Sequence, residues 1–211
     1  ESAPLKLTEN ECSTIGTELV HALTRAIMGP APEPALWEVD ANLRPEGKDG
    51  PLVRTVESYV QYYKRWAENW EFQALLKARP IAGSAQLGAR YARAIDPFVW
   101  ESAARESFVE SVQAMRARVT DNIPSHQVDR QIKLGPGGLR DIEFTVQLLQ
   151  LVHGRTDPAV RTKSTVDSLA ALTAVSYISR TDAEAFSRDY KKLRVLEHRI
   201  QLQQLRRTHL M

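Results

Sequence analysis

The sequence predicts a mainly α protein in which a small α+β portion precedes a helical bundle. Three observations carry that expectation. Apolar residues recur at helical spacing along most of the chain. Only two short stretches alternate with the period of a strand. Glycine and proline cluster at a few points between the periodic segments and mark the connections.

The first helix is expected from Thr8 to Met28. Ile15, Leu19, Leu23 and Ile27 lie four apart on one face, Thr8 and Glu11 form a capping box, and Gly29-Pro30 ends the run. Pro30, Pro32 and Pro34 make an extended connection into Leu36-Trp37-Glu38-Val39-Asp40-Ala41-Asn42-Leu43-Arg44-Pro45. That segment alternates strictly, with Trp37, Val39, Ala41 and Leu43 on one face and Glu38, Asp40, Asn42 and Arg44 on the other. It reads as a strand ended by Pro45, which cannot donate to a ladder. A carboxylate and a guanidinium four residues apart on one face suit a site handling metal and phosphate. The same pattern equally describes an ordinary half-exposed edge strand.

A breaker-rich loop over residues 45–51 leads to a short strand at Leu52-Val53, and helices follow near 55–67, 69–78, 84–94, 98–119, 138–153, 164–176 and 182–208. Trp66 and Trp70, four apart, are placed on one helix face as core anchors. Lys77 and Arg79 suit a helix C-terminus, where cations meet the dipole, and could also reach a phosphate. Thr181 to Glu184 offers a capping box for the last helix, whose Phe186, Tyr190, Leu193, Leu196 and Ile200 keep helical spacing. A soft boundary falls at Ala82-Gly83-Ser84, between a part over 1–82 and a bundle over 83–211.

Ile132 to Phe144 places three glycines and a proline directly before an amphipathic helix. Gly137 and Gly138 at a helix N-terminus, flanked by Lys133 and Arg140, fit either an anion site or a tight turn that serves only as a hinge. No Lys-Ser/Thr follows the last glycine, so this is not a Walker loop. The five histidines show no metal-ligand pairing, and His153 reads as a structural helix terminus. With 28 basic and 26 acidic side chains, the near-balance argues against a dedicated nucleic-acid or membrane-surface binder. A single cysteine, Cys12, fits a reducing cytoplasm. The chain opens without an initiator methionine and reads as a fragment of something longer.

Val39-Asp40-Ala41-Asn42-Leu43-Arg44-Pro45, Trp70-Glu71 through Leu76-Lys77-Ala78-Arg79, and Gly137-Gly138-Leu139-Arg140-Asp141-Ile142-Glu143-Phe144 resemble, in order and spacing, the bacterial glutamine synthetase adenylyltransferase family. The likeness runs from about residue 36 to the end. It implies that residues 1–82 are the C-terminal part of an α+β nucleotidyltransferase domain, whose Gly-Ser turn and Asp-x-Asp pair would lie upstream of residue 1. The fragment alone would then be inactive. The resemblance makes Asp40 the third carboxylate holding Mg²⁺ or Mn²⁺, with Arg44 beside the transferring phosphate. Lys77, Arg79, Lys133, Gly137, Gly138 and Arg140 would contact nucleotide or phosphate. Asn42 stands where the family often has Arg. Lys133 to Arg140, with Pro136 where the other half carries an acid, and Leu193 to Gln201 look like the half that removes AMP from a tyrosine of glutamine synthetase. Glutamine synthetase, the PII signalling protein, ATP, ADP and phosphate are the implied partners. A regulatory module sensing PII, or the ATP-dependent transferring half, are the alternatives.

Overall fold

The computed structural model describes residues 7–29, 38–204 and 208–211, and among them the chain is mainly helical with no strand. It divides into two compact units, residues 1–66 and 67–211. The boundary expected at Ala82 to Ser84 therefore falls inside the second unit, in the connection after its first helix.

In the first unit, α1 (Glu9–Met28) begins as the capping box requires. Glu11 N–H donates to Thr8 Oγ1 at 3.3 Å, and Thr8 N–H donates to Glu11 Oε2 at 2.7 Å. The face carrying Ile15, Leu19, Leu23 and Ile27 is exposed, and α1 buries no residue. The second helix, α2 (Val56–Arg65), is capped by Thr55 Oγ1, which accepts from Ser58 N–H.

The expected strand at 36–45 is not formed over its described residues 38–45, and neither is the one at Leu52-Val53; residues 36 and 37 lie outside the described residues. Asn42 N–H donates to Asp40 Oδ1 at 2.9 Å, which turns the chain at once. Leu43 is 71% exposed while Val39 and Ala41 are half-buried, so the alternating face is only partly covered. Arg44 then closes the loop: its guanidinium donates to the carbonyls of Ala41, Lys48 and Gly50 at 2.8 to 3.1 Å. Period-two alternation makes a strand only when a neighbouring strand accepts its ladder. Here a side chain satisfies the carbonyls instead.

The second unit is built around α6 (Leu139–His153). It packs against α3 (Asn69–Leu75), α4 (Ala85–Glu101), α5 (Phe108–Asp121), α7 (Thr165–Ala174) and α8 (Arg180–Gln204). Ile142, Val146, Val160, Leu169, Leu172 and Ala183 form one core cluster, with Phe186, Tyr190 and Leu193 of α8 laid against it. Fully burying a side chain such as Val146 or Leu172 contributes about 1.5–3 kcal/mol each. This layer fixes the faces of α6, α7 and α8.

Three local expectations are corrected. The gap expected between 94 and 98 is absent: α4 runs through Pro97 to Glu101, and the break comes at residues 102–107, where Ser107 takes φ 50°. Trp66 and Trp70 do not share a helix face, because α2 ends at Arg65. They are 73% and 37% exposed and anchor no core. The cap of α8 is Ser179, whose Oγ accepts from Asp182 N–H at 3.1 Å, two residues ahead of the expected Thr181. His153 ends α6 and stacks on Tyr177 with ring centroids 3.7 Å apart. Among the described residues no helix is long and apolar enough to cross a membrane.

Candidate anion-binding site

The buried side of α6 is not uniformly apolar. Glu143, Gln147 and Gln150, spaced four and three apart, are all buried. Each polar group in such a place needs a partner, and each has recruited a different element. Gln147 Oε1 accepts from Gln73 of α3 at 2.9 Å. Gln150 Nε2 donates to the carbonyls of Val160 and Thr162 at 2.7 and 2.9 Å, fixing the approach to α7. Glu143 Oε1 accepts from Tyr190 Oη at 3.1 Å and Arg194 Nη2 at 2.6 Å, while Oε2 accepts from Arg140 Nη1 at 3.1 Å.

Above Glu143 opens a cavity of about 390 Å³ whose walls include Lys77, Lys133, Arg140, Lys163, Arg194 and Tyr190. Lys77 Nζ donates to the carbonyl of Lys163 at 2.6 Å and to Thr165 Oγ1 at 3.2 Å. Lys133 pairs with Glu197 at 3.3 Å, and Arg194 bridges Glu197 and Glu143 at 2.6 Å each. Burial pushes the Lys77 ammonium below the ordinary lysine range; Glu143 opposes that, and Arg194 and Lys163 reinforce it. Lys133 is lowered for the same first reason, with Glu197 opposing. Burial alone would raise the Glu197 carboxyl, yet the Arg194 hydrogen bond and the Lys133 charge hold it below the usual carboxylate range. A pocket walled by five cations is chemically an anion seat.

The glycine-rich turn builds one wall without offering amides. Gly135 N–H donates to the Gln131 carbonyl, Gly138 N–H to that of Gly135, and Arg140 N–H to that of Lys133, each at 3.0 Å. Gly137, at φ 71°, donates to Asp141 Oδ2 at 2.6 Å. Arg116 clamps the assembly by donating to Asp141 Oδ1 at 2.6 Å and to the Gly135 carbonyl at 3.2 Å. Gly137 and Gly138 thus close the turn on itself, and the turn presents Lys133 and Arg140 to the cavity.

The structure brings together Lys77, Lys133 and Arg140 of the residues singled out from sequence. Arg79 is exposed and does not line the cavity. Asp40 and Arg44 belong to the first unit. Arg44 is occupied with its own loop, where it holds the backbone that carries Asp40. Among the described residues no group of three or more His, Cys, Asp or Glu could hold a metal ion. A hard divalent cation takes about six oxygens, so Asp40 offers one carboxylate and not a metal centre. Sequence reasoning missed Glu143, Lys163, Thr165, Tyr190 and Arg194. The signal for Glu143 was present, as an acid in phase with Ile142 and Val146 on the buried face.

The fold and site define an α-helical unit with a cationic pocket. Residues 7–94 match the family model of glutamate–ammonia ligase adenylyltransferase, and residues 113–211 match that of the GlnD PII-uridylyltransferase. The bifunctional glutamine synthetase adenylyltransferase/adenylyl-removing enzyme of Leifsonia xyli subsp. xyli is 64% identical over 93% of this chain and 20% of its own length. That of Streptomyces coelicolor is 57% identical over 96% and 20%. That of Mycobacterium tuberculosis is 59% identical over 84% and 18%. The chain belongs to the family of these bifunctional enzymes and spans about a fifth of the length of the curated relatives it matches.

Proposed function

We propose that this chain is part of a cytoplasmic enzyme that controls glutamine synthetase by reversible adenylylation, within the half that removes AMP. The observation that carries this reading is the identity of 57–64% over more than nine-tenths of the chain to relatives bearing both activities in their names. The segments Lys133 to Arg140 and Leu193 to Gln201 favour the removing half.

In that reaction an oxygen of inorganic phosphate attacks the phosphorus of the AMP–tyrosine linkage. The phosphorus–oxygen bond to tyrosine breaks, ADP leaves, and the tyrosine oxygen takes up a proton. Phosphoryl-type transfers depend mainly on holding the reacting groups in line and offsetting their charge. Lys77, Lys133 and Arg140 serve the second need. In the first unit, taken by itself, Asp40 would offer one carboxylate to a Mg²⁺ or Mn²⁺ ion completed by other groups of the enzyme, which would offset phosphate charge, and Arg44 holds the loop that carries it. Glutamine synthetase and the PII protein are the macromolecular partners.

The full-length enzyme given adenylylated glutamine synthetase, Mg²⁺ and phosphate is expected to release ADP, and Asp40→Asn to abolish that release with the circular dichroism spectrum unchanged. Pyrophosphate made from ATP and unmodified glutamine synthetase, with no ADP, would assign the chain to the transferring half. Near-normal ADP release by the variant would remove Asp40 from the site. A second reading, a module sensing PII, is favoured by the match of residues 113–211 to a model named for a PII-modifying enzyme. It predicts that Asp40→Asn alters only the response to PII.

A further inference from the structure

We propose that the pocket beside α6 seats a monoprotonated phosphate group between Lys77, Lys163 and the first turn of α7, that it does so without a metal ion, and that Glu143 selects phosphate over sulfate by accepting the phosphate hydroxyl. The inference rests on reading the chain as part of a phosphate-consuming enzyme. It adds where the anion sits and what distinguishes it.

Charge comes first. Five cations line the pocket, against Glu143 within it and Glu197 behind it, a surplus of three positive charges. A monocarboxylate leaves most of that surplus uncompensated, whereas a phosphate dianion offsets most of it. The distribution is uneven. Glu143 and Glu197 are engaged by Arg140, Arg194 and Lys133. Lys77 donates only to neutral oxygens, and no described carboxylate pairs with Lys163. The unmatched charge therefore lies on the wall formed by Lys77 and Lys163.

The same wall carries the start of α7. Ser164 Oγ accepts from Asp167 N–H at 3.3 Å, and Thr165, which lines the cavity, has an N–H that precedes the first intrahelical bond. A main-chain donor at the positive end of a helix dipole joins two ammonium groups, so an anion there needs no metal to bridge it. Burial has lowered the Lys77 pKa, and a bound dianion would oppose that shift.

Selectivity comes from the one acid in the pocket. Glu143 Oε2 takes a single hydrogen bond, from Arg140, and keeps a lone pair. A carboxylate in an anion pocket repels sulfate, which at neutral pH has no proton to offer. Monoprotonated phosphate donates its hydroxyl to the same oxygen and converts the repulsion into a bond. Free phosphate carries this proton as its dianion, whereas the terminal phosphate of a nucleotide carries one only as its monoanion.

The test is calorimetric titration of the full-length enzyme in EDTA, without glutamine synthetase, using sodium phosphate, sodium sulfate and ADP in turn. Phosphate is expected to bind, and sulfate to bind at least about tenfold more weakly, the order expected for one charged hydrogen bond. Lys163→Ala, at an exposed position that threatens no core, should weaken phosphate by roughly tenfold by the same reasoning. Glu143→Gln should erase the preference over sulfate. Lys163→Ala should lose phosphate affinity whether or not Glu143→Gln folds. Competition by ADP assigns the seat to a nucleotide's terminal phosphate, and its absence to free phosphate; both uphold the seat. No phosphate binding in EDTA, equal affinity for sulfate, or an unaffected Lys163→Ala would overturn it. Because no turnover is measured, failure here leaves ADP release from adenylylated glutamine synthetase to be judged separately.

Discussion

Gln150→Leu isolates the hydrogen bonds that hold the approach to α7. Gln150 is fully buried, and its amide nitrogen donates to the Val160 and Thr162 carbonyls. Leucine fills nearly the same volume but leaves the Thr162 carbonyl without its donor, at about 1–3 kcal/mol, and takes one of two donors from the Val160 carbonyl, which keeps Thr162 N–H, at about 0.5–1.5 kcal/mol. One term opposes this loss. Gln150 Oε1 has no hydrogen-bond partner, so removing it relieves about 1–3 kcal/mol of desolvation. The net is a loss of about 1 kcal/mol, or a fall of roughly 2–4 °C in melting temperature for a chain of this size. Gln150→Glu is expected to fall further, since it turns the donor into a second acceptor facing two carbonyls and adds a buried charge. Thermal unfolding of the 211-residue chain by circular dichroism reads both variants. A Gln150→Leu protein melting within 1 °C of wild type, or a Gln150→Glu protein more stable than Gln150→Leu, would refute the reasoning.

Glu197 has a folded carboxyl pKa below its unfolded value. Its contribution is therefore present above about pH 4.3 and lost as pH falls through the folded value. Urea unfolding between pH 2 and 7 should show the stability gap between wild type and Glu197→Gln narrowing steadily on acidification; a constant gap contradicts the ion-pair account. Asp141→Ala removes the acceptor shared by Gly137 N–H and Arg116. A loss of about 1–2 kcal/mol in urea unfolding is expected, discounted because the carboxylate is partly exposed.

The helices were legible wherever local chemistry decides them. Thr8 with Glu11 marked the start of α1, and the glycines before Leu139 marked the start of α6 to within a residue. Errors arose where a partner decides. Residues 38–45 alternate like a strand, but alternation only states that two faces differ, and Arg44 settled the backbone by bonding Ala41, Lys48 and Gly50. The gap expected between 94 and 98 is bridged, because α4 runs on through Pro97. Within the pocket, Lys133 and Arg140 could be found from their place beside the glycines. Lys163 and Arg194 could not, because only the packing of α7 and α8 on α6 brings them to the same cavity.

The closed glycine turn separates two jobs that phosphate-binding loops often combine. In a loop whose main-chain amides grip the anion, the backbone path and the ligand preference cannot change independently. Here the amides of Gly135, Gly137 and Gly138 are bonded within the turn and its Asp141 clamp. The backbone path is therefore set by glycine geometry, and the charge offered to the pocket is set by Lys133 and Arg140 at its two ends. Either end can be exchanged while the turn keeps its shape. That makes this stretch a frame into which different anion preferences can be fitted one side chain at a time.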